Sequence, residues 1–143
     1  MGLREDILAL AAYHGGGEMD LAGDEDLLGA YRMEGDDASE FLEAFADRFG
    51  VNLDGLLWYF HYNGDEPPPS RPRLYPVSPE GERLPTHAIT LNDLVSAAEA
   101  GHWQFTYPAH EVRERFSARL KVWLILAFLP VGLAILIWDM FHG

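Results

Sequence analysis

Residues 34–51 read EGDDASEFLEAFADRFGV, and their periodicity decides what kind of domain this chain builds. Ala38, Phe41, Leu42, Phe45 and Phe49 fall at helical spacing and define one apolar stripe. Asp36 and Asp37 stand at its start, where a short carboxylate caps free N–H groups and meets the positive end of the helix dipole. Gly50 offers the residue that most readily turns left-handed at a helix end. Ser39, Glu40, Glu43 and Asp47 are left for the other faces. The stretch is expected to be an amphipathic helix with an acidic outer side.

On the N-terminal side, Leu3, Ile7, Leu10 and Ala11 predict a first helix ended by Gly15-Gly16-Gly17. Glu18 to Asp37 reads as a long acidic loop with Leu21, Leu27, Leu28 and Tyr31 turned inward. On the C-terminal side, Asp54 is placed to cap a short helix through Leu56, Leu57, Trp58, Tyr59 and Phe60, a wall of the core. Residues 63–88 hold Pro67-Pro68-Pro69, Pro72, Pro76, Pro79 and Pro85, which exclude helix. This insertion is either an extended loop or a small irregular hairpin of Leu74–Val77 with Arg83-Leu84. Thr90-Leu91-Asn92-Asp93 reads as a capping box that opens a helix ending at Gly101, and His102-Trp103 closes the unit. From Pro108, with Glu111 four residues before Arg115, a mixed-charge helix is expected to run on to Lys121.

The last segment is of another kind. Residues 122–138 read VWLILAFLPVGLAILIW, without a charged, amide or hydroxyl side chain. At about 1.5 Å per residue this run covers roughly 26 Å, and Met140 and Phe141 nearly complete the ~30 Å of a hydrocarbon core. Trp123 and Trp138 near its ends suit the headgroup region and are the expected interfacial anchors. Arg113, Arg115, Arg119 and Lys121 precede the span, and only Asp139 and His142 follow it. The positive-inside rule then places everything before Val122 in the cytoplasm. The expected product is a single-pass, tail-anchored protein of the inner, cytoplasmic membrane.

Charge narrows the partners. The formal net charge is −13, and all of it lies in residues 1–70, where sixteen acids face Arg4, Arg32 and Arg48. Such a domain is repelled by nucleic acid and anionic lipid, and a basic protein surface complements it. The absence of cysteine excludes disulfides and thiol catalysis. The six histidines, His14, His61, His87, His102, His110 and His142, show no spacing of a metal-ligand pair. Asp36-Asp37 reads as a cap rather than a catalytic dyad, Gly15-Gly16-Gly17 lacks the lysine of a phosphate loop, and the Trp58–Tyr62 run reads as core packing. No nucleophile, base and orienting group come together, so neither catalysis, a metal nor a cofactor is expected.

The order of elements over residues 1–103 resembles an acyl carrier protein: a first helix, a long acidic loop, an acidic second helix, a short third helix and a closing helix. Glu34–Val51 carries the resemblance, because carrier proteins place an Asp-Ser-Leu triplet there ahead of an acidic helix with a Phe-containing end. The closing segment Ile89–Val95 to Gly101-His102-Trp103 is similar to that of a group of uncharacterised bacterial carrier-like proteins. Asp36-Asp37-Ala38 occupies the triplet slot, so the serine that would take a phosphopantetheine arm is missing and Ser39, inside the helix, is the nearest hydroxyl.

The fold expected is all-α: a carrier-like bundle over 1–103 with the Pro-rich insertion 63–88, a juxtamembrane helix over 104–121 and a transmembrane helix over 122–141. The function expected is non-catalytic binding of a basic partner through Asp36, Asp37, Glu40, Glu43 and Asp47. The alternatives are a working carrier modified on Ser39, and a small membrane regulatory or immunity-type protein.

Overall fold

In the computed structural model, which describes residues 2–17, 19–62, 73–115 and 118–143, the chain forms α1 (Leu3–Gly15), a single-turn α2 (Leu27–Ala30), α3 (Gly35–Phe49), β1 (Arg73–Val77), α4 (Leu91–Ala100), β2 (Glu111–Arg115) and α5 (Ala118–His142). α1 packs against both α3 and α4. Their shared core contains Ile7, Ala11, Phe41, Phe45, Leu91 and Leu94, all fully buried. Each large apolar side chain among them stabilises the fold by about 1.5–3 kcal/mol through burial. The α3 stripe read from the sequence is the buried face, and Gly50 ends the helix in the left-handed conformation, as Gly101 ends α4. Thr90 and Asp93 form the expected reciprocal capping box.

Several local expectations need correction. The acidic loop contains α2, whose N-cap is Asp26, accepting from the Gly29 N–H. Glu34 rather than Asp36 or Asp37 is the N-cap residue of α3, and the two aspartates lie in its first turn. There they still meet the helix dipole favourably. The third helix shrinks to a 3-10 turn at Trp58–Phe60, and Asp54 does not cap it. Pro67–Pro69 and Pro72 of the insertion lie outside the described residues, as does Glu18.

The fold class is the main correction. The molecule is mixed α/β, not all-α: β1 and β2 form a two-stranded antiparallel sheet, from Arg73 opposite Arg115 to Val77 opposite Glu111. A helix was expected where β2 stands. Val112 is the only apolar residue in Glu111–Arg115, so no apolar stripe favours helix there. The Glu111–Arg115 helical pair would add only about 0.2–0.5 kcal/mol, and a strand partner far upstream outweighs it. β1 accommodates its proline for a geometric reason. The Pro76 carbonyl accepts from the Leu84 N–H at 3.0 Å, so the edge at which Pro76 lacks a donor faces the 83–84 return and not β2. Val77 is bridged to both Arg83 and Glu111, so the small hairpin considered for the insertion forms and β2 adds to it.

α5 contains one stretch, Lys121–His142, of 22 residues with mean hydropathy 2.3 and none of it buried. At 1.5 Å per residue its length is about 33 Å, and by length and composition it is apolar enough to cross a bilayer. Trp123 and Trp138 are both exposed, and Trp138 stacks on His142 with ring centroids 3.9 Å apart.

Candidate functional site

The outer face of α3 is built by helical arithmetic. Asp36, Glu40, Glu43 and Asp47 stand at i, i+4, i+7 and i+11, which brings them into one narrow stripe. All four are exposed, and the stripe lies opposite Ala38, Phe41, Leu42 and Phe45, which are buried. Asp37 is exposed too but projects about 100° round the axis from Asp36. Like charges three and four apart destabilise a helix by about 0.2–0.5 kcal/mol per pair, so the stripe is held against its own repulsion.

The C-terminal half of this stripe borders a cleft. Glu43, Asp47 and Asp54 supply its charge, Leu53 and Val51 part of its apolar lining, and its volume is about 570 Å³. Asn52, another lining residue, is tied down from two sides. The Asn52 side-chain oxygen accepts from the Asp54 N–H at 2.8 Å. The Asn52 backbone donates to Gly101 at 2.9 Å and accepts from Trp103 at 3.0 Å, joining the exits of α3 and α4.

Ser39 does not share the acidic stripe. It is half-buried in the second turn of α3, and its hydroxyl lies 3.3 Å from that of Tyr62.

A second constellation, which the sequence reading missed, joins the 3-10 turn to the segment after α4. The Tyr107 hydroxyl oxygen accepts from the Leu57 N–H at 3.0 Å and from the Trp103 indole N–H at 3.0 Å, filling both of its lone pairs. Its own proton must therefore go to Nε2 of His61, 2.6 Å away. His61 then carries its proton on Nδ1 and donates to the His87 carbonyl at 2.9 Å. The ring is only 6% exposed, and burial holds it below the ordinary histidine range. Burial likewise raises Tyr107 above the usual tyrosine value. A reciprocal pair lies alongside: Tyr59 donates to Nε2 of His110 at 2.9 Å, and His110 Nδ1–H donates to the Pro108 carbonyl at 2.8 Å. Phe60 and Phe105 pack edgewise on His110 and His61 respectively. Three of the six scattered histidines thus meet in one aromatic cluster through hydrogen bonds and ring contacts: His61, His87 and His110. Among the described residues no group of three or more histidine or acidic side chains is arranged to hold a metal ion. The local trace of the cluster was Tyr59-Phe60-His61 and Tyr107-Pro108-Ala109-His110, two aromatic–histidine runs whose pairing no spacing announces.

Residues 3–106 match the model of a family described as "Protein of unknown function (DUF1493)". The chain belongs to this family. The DUF1493 match takes in the acidic face of α3, its cleft, and the cluster as far as Phe105, and ends before Tyr107, β2 and α5. No curated protein and no solved structure matches the chain.

Proposed function

We propose that this DUF1493 protein is a non-catalytic, membrane-tethered binding module that docks a basic protein surface on the acidic face of α3. The carrying observation is the single stripe of Asp36, Glu40, Glu43 and Asp47, exposed along the whole length of the helix and opposite its buried face. Such an arrangement steers a basic partner and speeds its association. The packing of α1 on α3 and α4 supports a carrier-like presentation of that helix, here without a prosthetic group. Asp37 adds charge beside the stripe, and Glu43 and Asp47 continue it into the cleft. In this reading α5 anchors the module, Trp123 and Trp138 sit at the two interfaces, and the arginines before the span keep the module on the cytoplasmic side of the inner membrane.

The test uses the full chain in detergent, immobilised and exposed to membranes of its host. Glu40→Lys, Glu43→Lys and Asp47→Lys combined should abolish capture of the specific partner. A control reversing an equal number of acids elsewhere, Asp20→Lys, Asp24→Lys and Glu80→Lys, should retain it. Wild-type capture should also fall steeply as salt shortens the Debye length below about 8 Å. Capture by the first variant equal to that by the control overturns the proposal.

A further inference from the structure

The Tyr107 oxygen is saturated, and that gives His61 a mechanical role beyond packing. While His61 is neutral, four groups are satisfied at once: the Leu57 N–H, the Trp103 indole N–H, the Tyr107 O–H and His61 Nε2. A proton on Nε2 turns an acceptor into a donor aimed at an oxygen that already accepts twice. One of the three donors must then let go, and the Tyr107 proton loses its acceptor. In this environment an unpaired polar group costs as much as a lost hydrogen bond or more. The neighbouring pair behaves differently. A protonated His110 can donate to the Tyr59 oxygen, and the half-exposed Tyr59 hydroxyl turns its proton away. The two Tyr–His pairs look alike, but only His61 locks.

We propose that His61 and Tyr107 form an acid-released latch that holds residues 104–107, in the stretch leading from α4 to β2, against the 57–62 turn. Neutral His61 closes it and protonation opens it. Opening frees the stretch just before Pro108 from the turn, while the Tyr59–His110 contact and the β1–β2 pairing still hold the chain beyond it. The groups acting on His61 are few. Asp93, at the start of α4, favours its charged form, as does the hydrogen bond to the His87 carbonyl. Desolvation and the charge of the His87 ring oppose it, and desolvation is the largest influence. Tyr59 and Asp93 act on Tyr107 in the direction that keeps its proton on. The sign follows: the latch is fully closed above the ordinary histidine pKa of about 6.5 and is lost as pH falls below it towards the lower value His61 has in the fold.

Full-length, isotope-labelled protein in detergent micelles provides the test. Exchange of the Leu57 amide and the Trp103 indole proton, corrected for intrinsic rate, should accelerate roughly tenfold per pH unit below the onset of His61 protonation. The amides of Phe45 and Leu94 should stay protected over the same range. His61→Gln, which keeps an acceptor and cannot be protonated, should abolish the acid step, and Tyr107→Phe should leave the Trp103 indole proton in fast exchange at every pH. Should His61→Gln fail to fold, coincidence of the wild-type His61 nitrogen titration with the acceleration at Leu57 and Trp103 decides. An unmoved exchange rate through that titration overturns the latch. So does an acid step that persists in a folded variant, or one shared with Phe45 and Leu94, since the last is global unfolding.

Discussion

The Ser39 hydroxyl lies 3.3 Å from the Tyr62 hydroxyl, so the hydroxyl nearest the Asp36-Asp37-Ala38 step already has a partner within the domain. In the resemblance to a carrier protein, Asp37, which is exposed, takes the place of the serine. A transferase would have to break the Ser39–Tyr62 contact and reach into the second turn of a helix. Incubation with a broad-specificity phosphopantetheinyl transferase and coenzyme A should therefore leave the intact mass unchanged. A mass increase that Ser39→Ala abolishes would establish the working-carrier alternative instead.

The repulsion along α3 makes a second expectation measurable. Glu43→Gln with Asp47→Asn relieves like-charge neighbours and removes negative charge from the half of the helix nearest its negative dipole end. The double variant should be more stable by about 0.5–1 kcal/mol, raising Tm by a few degrees. The gain should shrink in high salt. A loss of stability on thermal melting would show that these carboxylates hold the fold together.

Gly15 sets two rules against each other. Alanine is favoured over glycine by about 1 kcal/mol in a helix interior and keeps part of that advantage in the last turn, where Gly15 stands. A Cβ at Gly15, however, would collide with the Tyr31 carbonyl oxygen and crowd the Tyr31 and Met33 side chains. Both of those residues are buried and cannot give way freely. Overpacking of this kind costs about 1–3 kcal/mol, so Gly15→Ala should destabilise despite its better helix propensity. Denaturant midpoints read the sign directly.

The two tyrosine–histidine pairs should differ in worth. Tyr107→Phe strands the Leu57 N–H, the Trp103 indole N–H and His61 Nε2 together, a loss of roughly 2–4 kcal/mol. Tyr59→Phe removes a single bond to His110 and should cost about 1 kcal/mol or less. Equal losses in urea melts would refute the assignment of Tyr107 as the shared acceptor.

For the anchor, the protein should fractionate with membranes and resist extraction by high salt and by alkali, because α5 offers exposed apolar surface from Val122 to Phe141. Protease added to sealed inverted vesicles should digest the DUF1493 domain. Protection of that domain would reverse the orientation.

What the sequence disclosed follows from the range of the signals. The buried face of α3, the left-handed glycines at 50 and 101 and the Thr90–Asp93 box are written within a few residues, and all were legible. The apolar run of α5 was legible for the same reason. β2 was not, since its only apolar residue is Val112 and its pairing partner begins at Arg73. The exposure of the acidic face followed from periodicity. The His61–Tyr107 bond joins residues 46 apart, and nothing around either residue encodes it.

The β1–β2 register has a practical consequence for where a fragment without the apolar stretch of α5 should stop. A chain cut after Tyr107 keeps α1 to α4 and the full DUF1493 match, but it strips β2 from β1 and exposes a row of main-chain donors and acceptors. Bare strand edges invite pairing with other molecules. A fragment ending at Arg115 takes the strand with it and loses the 22-residue apolar stretch that begins at Lys121. The family boundary and the folding boundary are thus different places on this chain, and the fragment worth making is the longer one.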